Sequence, residues 1–459
     1  MSGPRILSRN DEIELTIDAL GSEGQGIGRY CGMAVFVPLA LVGEKVKVRI
    51  ERVTNSYAEG KLLSINEEAV ERVLTKCAAY PECGGCDLLH MNYDAQLEFK
   101  RTRVRDAMER IGGFKGIEVK QTLGMEVPCR YRNKASFPFA EKENVVVSGY
   151  FAKKSHRIIP VTECMIQHEI SMKVLRIVTE WANRFHIQPY DERTREGILR
   201  HVVARTTAGG AMVVIVTTGK LPHSTELIEM LTNAVPEIRS IIHNVNPSNT
   251  NLILGRNNKT IFGVDTIIEK ISGLKFEVSV QSFLQVNPIQ TLRLYMQAIE
   301  QLNLSSNDDI IDLYCGIGTI SLLMAGRVNS VLGIECVESA VSDAKRNAVL
   351  NGITNASFIC GKAESLLPRL IEDGKHADAL VLDPPRKGAD KPALDAIIAS
   401  NIPRIAYISC NPATLARDCR ILADGGYGIE SVQPVDMFPM THHVETVVLM
   451  LRERTVWEK

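Results

Sequence analysis

Residues 310–319 read IIDLYCGIGT, an apolar run that enters a Gly-x-Gly turn and continues into the apolar segment TISLLMA at 319–325. This is the pattern of a buried strand, a tight turn and a helix. Glycines at 316 and 318 let the backbone approach a ligand closely where the strand ends. The stretch therefore predicts the first strand of a parallel sheet, with a ligand bound at its carboxyl edge.

Outward from this stretch, strand-like and helix-like segments alternate from about residue 282 onward. Such alternation is typical of an α/β fold with a doubly wound, Rossmann-like sheet. The next strand ends in Glu335, where a carboxylate can accept hydrogen bonds from ribose hydroxyls. A dinucleotide fingerprint would need a third glycine at position 321, which is serine. The pattern favours an adenosine-containing ligand without a pyrophosphate, such as S-adenosylmethionine, over a plain tight turn with a surface carboxylate.

Two further strands end in residues suited to catalysis. Asp383 precedes two prolines, which make a rigid turn at the same sheet edge. Cys410 ends the strand RIAYIS and stands just before a helix that has Pro412 in its first turn. A helix N-terminus stabilises a thiolate, so a nucleophile of lowered pKa is expected, against the alternative of a buried structural cysteine. Glu445 opens the last strand-like segment beside two histidines and is either a general base or a solvated edge residue.

The N-terminal half has a different pattern. Residues 11–65 contain short alternating segments, among them EIELTIDAL and EKVKVRIERV, with 21–30 as a glycine-rich turn, and predict a small OB-like β-barrel. Residues 128–280 mix strand-like segments such as AMVVIVTTG and NLILG with one or two helices. The predicted division is a barrel over 1–66, a central α+β domain over 67–95 and 126–280, and the α/β domain over 96–125 and 281–459.

Composition excludes several classes of protein. The 459 residues are 45% hydrophobic and 23% charged, which excludes a disordered chain. The formal charge is −1, yet residues 96–160 carry 14 Lys or Arg against 7 Asp or Glu, an excess that favours a polyanion-binding face. We see no secretory signal and no apolar run of the ~18 residues that a membrane span needs. We expect a cytoplasmic protein, with no membrane association and no obligate protein partner evident.

Cysteine usage points to a metal rather than to disulfides. Eleven cysteines, an odd number, occur without an export signal. Cys77, Cys83 and Cys86 form C-x5-C-x2-C with proline and glycine between them, and Cys164 is the fourth candidate, with Cys129 in reserve. Three thiolates on one irregular loop with a distant fourth suit an iron–sulfur cluster or a structural zinc. The remaining cysteines, at 31, 315, 336, 360 and 419, are interpreted as packing.

Taken together, the motifs resemble those of a known enzyme family. SFLQVNP, DLYCGIGT, GIE, DPPRKG, SCNP and HHVETVV occur in this order. The sequence resembles the bacterial RNA uracil-5-methyltransferases, in particular those that act on 23S ribosomal RNA, over nearly the whole chain. The resemblance implies a class I methyltransferase domain and identifies the N-terminal barrel with the TRAM domain, a small RNA-binding barrel. It also favours a [4Fe–4S] cluster on Cys77, Cys83, Cys86 and Cys164.

The resemblance also implies a mechanism and a set of site residues. Cys410 matches the family nucleophile, which adds to C6 of uracil so that C5 can take the methyl group of S-adenosylmethionine. Glu445 matches the base that removes the C5 proton. The positions that correspond to cofactor contacts are Gln285, Tyr314, Glu335 and Asp383.

Recognition of RNA is expected to involve a flipped-out base, because a stacked uracil cannot reach Cys410. The barrel has no basic excess, so the segment 96–160 is the predicted RNA face, with arginines at 101, 103, 105, 130 and 132 and a lysine at 134. Three alternatives remain: the same chemistry on transfer RNA, methylation of another group such as an adenine amine, and an RNA-binding protein without catalysis.

Overall fold

The computed structural model describes residues 7–452 in three regions; the ends of the predicted first and third domains, 1–6 and 453–459, lie outside the described residues. The first region is a closed barrel in which the strands follow the order β1-β2-β3-β5-β4. Its strands are β1 (Glu12–Leu20), β2 (Gly26–Tyr30), β3 (Met33–Val37), β4 (Lys45–Val53) and β5 (Tyr57–Glu67). None of the helices between residues 7 and 452 combines the length and the apolar character needed to cross a membrane.

The glycine-rich segment 21–30 was predicted as a turn, and this prediction is wrong in its second half, where β2 lies. The reason is close packing rather than flexibility. A Cβ on Gly28 would lie 2.3 Å from a methyl of Leu15 and 2.5 Å from the carbonyl oxygen of Thr16. Glycine is therefore needed inside this strand, so that β1 and β2 can approach in a small barrel.

The second region is a seven-stranded sheet of order β12-β11-β10-β9-β6-β7-β8 with two helices on one face. Its other face packs against a two-stranded hairpin and the third region. Helix α1 (Tyr93–Arg110) precedes it in the chain. The elements are β6 (Lys134–Lys142), β7 (Val145–Phe151), β8 (Ile158–Pro160), α2 (Glu169–Arg184), β9 (Leu199–Thr207), β10 (Gly210–Thr217), α3 (Ser224–Ala234), β11 (Ile238–Val245), β12 (Asn257–Gly263), and the hairpin strands β13 (Ile267–Ile271) and β14 (Leu274–Val278).

Sequence patterns describe this region incompletely. The segment NLILG (251–255) was predicted as a strand and lies in a loop. Strand β9, LRHVVARTT, was missed because eight of its nine residues are buried, so that no alternation of polar and apolar residues marks it. When both faces of a sheet are covered, its strands are apolar on both sides and lack the polar–apolar alternation by which half-buried strands are recognised.

The third region is a doubly wound sheet of order β17-β16-β15-β18-β19-β21-β20, as the alternation from residue 282 predicted. All its strands run in the same direction except β21, which lies antiparallel between β19 and β20. Helix α1 packs against α9 and β20. The elements are α4 (Pro288–Gln301), β15 (Asp309–Leu313), α5 (Thr319–Ala325), β16 (Ser330–Glu335), α6 (Glu338–Leu350), β17 (Ala356–Cys360), α7 (Ala363–Glu372), β18 (Ala379–Leu382), α8 (Lys391–Ser400), β19 (Arg404–Ser409), α9 (Pro412–Asp424), β20 (Tyr427–Val435) and β21 (Glu445–Arg452).

Candidate active site and its relation to known methyltransferases

A cavity of about 760 Å³ opens at the carboxyl edge of the doubly wound sheet. In such sheets, ligands bind in the crevice at this edge. The cavity, called the reaction cavity below, is lined by all six residues predicted as catalytic or cofactor-binding: Gln285, Tyr314, Glu335, Asp383, Cys410 and Glu445.

One side of the reaction cavity is built by the turn after β15. Tyr314, Gly316 and Gly318 all have positive φ, at 66°, 55° and 82°. A non-glycine residue held in this conformation is strained, and such strain tends to occur at functional sites. The N–H of Gly316 donates to Oε2 of Glu335 at 3.1 Å, and the N–H of Val337 donates to Oε1 at 2.8 Å. These bonds fix the carboxylate at the cavity wall, and its remaining lone pairs are available as hydrogen-bond acceptors.

The opposite side is built where β19 and β21 meet. Their antiparallel register pairs Ser409 with Thr446, which places Cys410 beside Glu445 at the cavity. Helix α9 begins at Pro412, and the Asn411 side chain accepts from the N–H of Ala413 as its N-cap. Because β21 runs antiparallel, its first residue lies at the edge where the parallel strands have their last.

Burial changes the titration of the groups in the cavity. The pKa of Glu445, whose side chain is 3% exposed, is raised by burial and by the neighbouring Asp383. The pKa of Asp383 is likewise raised by burial. Burial, followed by the charges of Glu445 and Asp383, raises the pKa of Cys410 to about 11. The expectation of a lowered thiol pKa is therefore wrong for the protein without ligands, because the helix N-terminus and Arg386 do not offset desolvation and two carboxylates.

This raised pKa gives a testable pH dependence. The thiolate fraction of Cys410 increases with pH, so alkylation by iodoacetamide should accelerate by about tenfold per pH unit from neutrality towards pH 10. Replacing Asp383 by asparagine removes a negative charge and should increase the rate at a fixed pH. Peptide mapping by mass spectrometry measures Cys410, with the exposed Cys31 as internal reference. A Cys410 rate that is independent of pH above neutrality would contradict the raised pKa.

Gln285 reaches the cavity from a loop that the central region holds in place. The guanidinium of Arg205, on β9, donates to the carbonyl oxygen of Ser282 at 2.9 Å. The N–H of Asn133 donates to the carbonyl oxygen of Val286 at 2.9 Å. The loop between β14 and α4 is thus fixed by one buried side chain and one backbone N–H of a different region.

The four predicted metal-ligating cysteines come together around a second cavity of about 350 Å³, called the cysteine cavity below; Cys129 does not line it. Four buried polar atoms on its wall have no hydrogen-bond partner: Arg132 Nε, Ser136 Oγ, Tyr150 Oη and Gln167 Oε1. Unpartnered buried polar groups are costly, which indicates that a polar group belongs there. Within residues 7–452, no set of three or more His, Cys, Asp or Glu side chains is arranged to hold a single metal ion.

The interpretation of the other cysteines as packing residues is only partly right. Cys315 and Cys419 are buried. Cys31, Cys336 and Cys360 are exposed, so the interpretation is wrong for these three.

Comparison with known proteins decides the family. The family described as tRNA (uracil-5-)-methyltransferase matches residues 92–453, and the TRAM domain matches residues 8–63. The chain belongs to the tRNA (uracil-5-)-methyltransferase family. Uncharacterized RNA methyltransferases of Halalkalibacterium halodurans and Caldanaerobacter subterraneus are 47% and 46% identical, over 97% and 96% of this chain and 98% of each relative.

A solved structure of similar fold supports this membership. It is the Pyrococcus abyssi tRNA (uracil-54, C5)-methyltransferase in complex with S-adenosyl-L-homocysteine. That structure has a TM-score of 0.78 and 28% sequence identity and covers 95% of this chain and 99% of its own. The predictions of an S-adenosylmethionine-dependent RNA (uracil-5-)-methyltransferase, a TRAM barrel and a class I methyltransferase domain are thereby confirmed.

The structure of this uracil-5-methyltransferase adds cavity residues that sequence reasoning did not select. Phe283, Tyr295, Arg386 and Phe438 also line the reaction cavity, and Phe283 is 70% exposed. Phe283 and Arg386 lie inside the motifs SFLQVNP and DPPRKG, so their neighbours were a usable signal. No sequence signal marked Tyr295 or Phe438, because the pattern around an aromatic residue on an amphipathic helix or in a loop does not distinguish a cavity residue from a packing residue.

Several basic residues of the predicted RNA face form hydrogen bonds within the protein or lie inside one of its cavities. Arg101 donates to the carbonyl oxygen of Val119, and Arg103 donates to that of His442. Lys134 lines the cysteine cavity, and burial together with Arg205 lowers its pKa to about 8. A count of charges along the sequence therefore overstates the cationic surface that this segment offers to RNA.

Proposed function

We propose that this protein transfers a methyl group from S-adenosylmethionine to C5 of one or more specific uridines in 23S ribosomal RNA. The observation that carries the chemistry is the register of β19 and β21, which sets Cys410 beside Glu445 in a cavity that Asp383 also lines. A thiol and a carboxyl side by side in one pocket are the two groups that substitution at C5 of uracil needs, since that carbon is a poor nucleophile until C6 is attacked.

The proposed reaction begins at Cys410. Its thiol loses a proton to solvent water, and the thiolate adds to C6 of a flipped-out uracil, so that the C5–C6 π electrons move towards C5 and the O4 carbonyl as an enolate. S-Adenosylmethionine, when bound, supplies an electrophilic methyl group. C5 bonds to that methyl carbon as its bond to sulfur breaks, which leaves S-adenosylhomocysteine and a covalent adduct that carries both hydrogen and methyl at C5.

Glu445 completes the proposed reaction. Its carboxylate takes the C5 proton, the electron pair re-forms the C5–C6 double bond, and the sulfur of Cys410 leaves as a thiolate. The raised pKa of Glu445 suits this role, because a base must hold the proton that it has taken. The residues proposed to hold the methyl donor are Gln285, Tyr314, Glu335 and Asp383, with Glu335 on the ribose and Asp383 nearest to the reacting groups.

Transfer RNA is the second candidate substrate, and a specific observation favours it. The family description and the name of the Pyrococcus abyssi enzyme both specify tRNA. That structure covers 95% of this chain, so the match includes most of the barrel. The presence of the barrel therefore does not separate the two substrates. The proposal of 23S ribosomal RNA rests on the sequence resemblance.

Mapping of 5-methyluridine in cells that lack the protein separates these substrates. We expect complete loss of the modification at one or two positions of 23S ribosomal RNA, restored by the wild-type gene and not by a Cys410→Ala gene. Mass mapping of ribosomal and transfer RNA from the same cells measures this. Loss of 5-methyluridine from transfer RNA alone would contradict 23S ribosomal RNA as the substrate but not the proposed chemistry. If neither RNA lost 5-methyluridine, both the substrate and the chemistry would be contradicted.

We also propose that Cys77, Cys83, Cys86 and Cys164 hold a [4Fe–4S] cluster. They line one cavity whose wall carries the cationic side chains of Arg132 and Lys134 as well as the unpartnered polar atoms. A four-iron cube spreads its thiolate ligands farther apart than a single ion does, so cysteines around a cavity suit a cluster better than zinc.

Metal analysis tests the cluster proposal. We expect about four iron and four sulfide per chain after anaerobic purification, with most of both lost in a Cys83→Ala variant. The exposed Cys31, changed to alanine, is the matched control and should keep both. One zinc per chain, or no metal in the wild type, would contradict the assignment.

A further inference from the structure

The segment Asp436–Val444, called the arm below, connects β20 to Glu445 and forms a wall of both cavities. Phe438 lines the reaction cavity, whereas Thr441 and His443 line the cysteine cavity. Met440 packs into the same small apolar cluster as Cys86 and Cys164. The arm is therefore a partition, and Glu445 follows it directly in the chain.

The loop 77–88, which carries Cys77, Cys83 and Cys86 and is called the cysteine loop below, holds the arm by its backbone and by one side chain. The N–H groups of Asp87 and Leu88 donate to the carbonyl oxygen of Met440 at 2.9 and 3.0 Å. The Asp87 carboxylate lies 2.7 Å from Nδ1 of His442. Met440 has a φ of 69°, a conformation that a non-glycine residue keeps only where its surroundings impose it.

Helix α1 holds the arm from the other side. Lys100 forms a fully buried ion pair with Asp436 and donates to the carbonyl oxygen of Phe438 at 3.0 Å. The side-chain oxygen of Gln96 accepts from the N–H of Met440 at 3.0 Å. These contacts do not involve the cysteines, so they anchor the start of the arm whatever the cysteine cavity contains.

We propose that the cysteine loop, through Asp87 and Leu88, is a positioning element for Glu445, and that the occupant of the cysteine cavity keeps it in place. This inference rests on the proposed function and deepens it. It assigns the four cysteines a role in one step of the reaction, removal of the C5 proton. Because methyl transfer involves no electron transfer, the role proposed for the cluster is structural: it keeps the cysteine loop, and through it Glu445, in position.

The inference has a specific chemical signature. Cys410 stands at the end of β19 and before α9, elements that the arm does not carry. Because Lys100 still holds Phe438, a shift confined to the arm beyond Met440 leaves addition of sulfur to C6 and transfer of the methyl group intact. Without the base, the C5 proton stays, the double bond does not re-form and the S–C6 bond does not break. The methylated protein–RNA adduct should then accumulate on unmodified RNA.

The test compares two alanine variants of the same loop. Asp87→Ala removes the contact with His442, and Glu82→Ala removes an exposed carboxylate that pairs with Arg157 at 2.9 Å. The substrate is total RNA from cells that lack the protein. Denaturing electrophoresis measures the adduct, and 5-methyluridine release measures turnover.

We expect Asp87→Ala to turn over about 10- to 100-fold more slowly, the range for a catalytic group misplaced by on the order of an ångström. The adduct should rise from a trace to a major fraction of the protein. Asp87→Asn should restore part of the rate, and Glu82→Ala should match the wild type. Cys164→Ala, which alters the cavity at a residue outside that loop, should reproduce the adduct.

Calorimetric binding of S-adenosylhomocysteine at wild-type affinity shows that each variant is folded. Slower turnover of Asp87→Ala without accumulation of the adduct would overturn the positioning role. Turnover and adduct levels equal to those of the wild type would overturn it as well. If Cys164→Ala binds S-adenosylhomocysteine normally and forms no excess adduct, the cavity occupant has no part in it. Failure of the wild type to form an adduct with RNA containing 5-fluorouridine would instead overturn the proposed function.

Discussion

Replacing Cys410 by alanine is expected to reduce methyl transfer by at least about 10⁴-fold, the scale seen when a covalent nucleophile is removed. Cys410 is the cysteine that the pairing of β19 with β21 sets beside the proposed base Glu445, so the change to alanine removes the proposed nucleophile. Incorporation of tritiated methyl groups into RNA from cells lacking the protein measures the rate. The covalent adduct that the wild type forms with 5-fluorouridine RNA should be absent.

The matched control is Cys360→Ala, a change of an exposed cysteine on β17. It should keep wild-type rates and trapping. Binding of S-adenosylhomocysteine by the Cys410→Ala protein should be unchanged, since the residues proposed to hold the methyl donor remain. A Cys410→Ala protein that still methylates RNA would exclude covalent catalysis and favour direct transfer to another group, such as an amine.

Replacing Glu445 by glutamine is expected to slow turnover by about 10²- to 10⁴-fold, the contribution typical of general base catalysis. The amide keeps the shape of the side chain and cannot take a proton. Addition and methyl transfer should continue through one cycle, so the variant should trap its own product as an adduct on ordinary RNA. Single-turnover methyl incorporation and denaturing electrophoresis measure the two steps separately.

Glu430→Gln is the control for this variant, because Glu430 is an exposed carboxylate on the neighbouring strand β20. It should release 5-methyluridine at the wild-type rate. If Glu445→Gln lowered turnover without any adduct, Glu445 would act before methyl transfer, for example in removing the thiol proton of Cys410, and another group would be the base.

The arrangement of the site could be predicted from sequence because it follows from topology. Tyr314, Asp383 and Cys410 each follow a strand of one parallel sheet, and the carboxyl ends of parallel strands meet at one edge. Glu445 lies at the same edge although it begins its strand, because β21 is antiparallel and an antiparallel strand has its first residue where its parallel neighbours have their last. Spacing alone left Glu445 open between a general base and a solvated edge residue, because the direction of β21 was not predicted; its role came from the family resemblance.

Features that depend on burial could not be predicted in this way. The helix after Cys410 suggested a lowered thiol pKa, but the depth of the cavity and the nearness of two carboxylates raise it instead. Arg103 was expected on an RNA-binding surface, yet it donates to a carbonyl group of the arm. Arg103 and His442 are 339 positions apart, and neither desolvation nor a contact of this kind is recorded by a local sequence pattern.

The placement of β21 has a consequence for how the enzyme is made. This strand fills the gap between β19 and β20, although it follows both in the chain. While the chain is being synthesised, the sulfur nucleophile emerges before its proton acceptor exists, and the sheet stays split until the last strand inserts. A chain in which β21 has not yet inserted therefore lacks the proposed base, and repeated turnover requires the insertion of this strand.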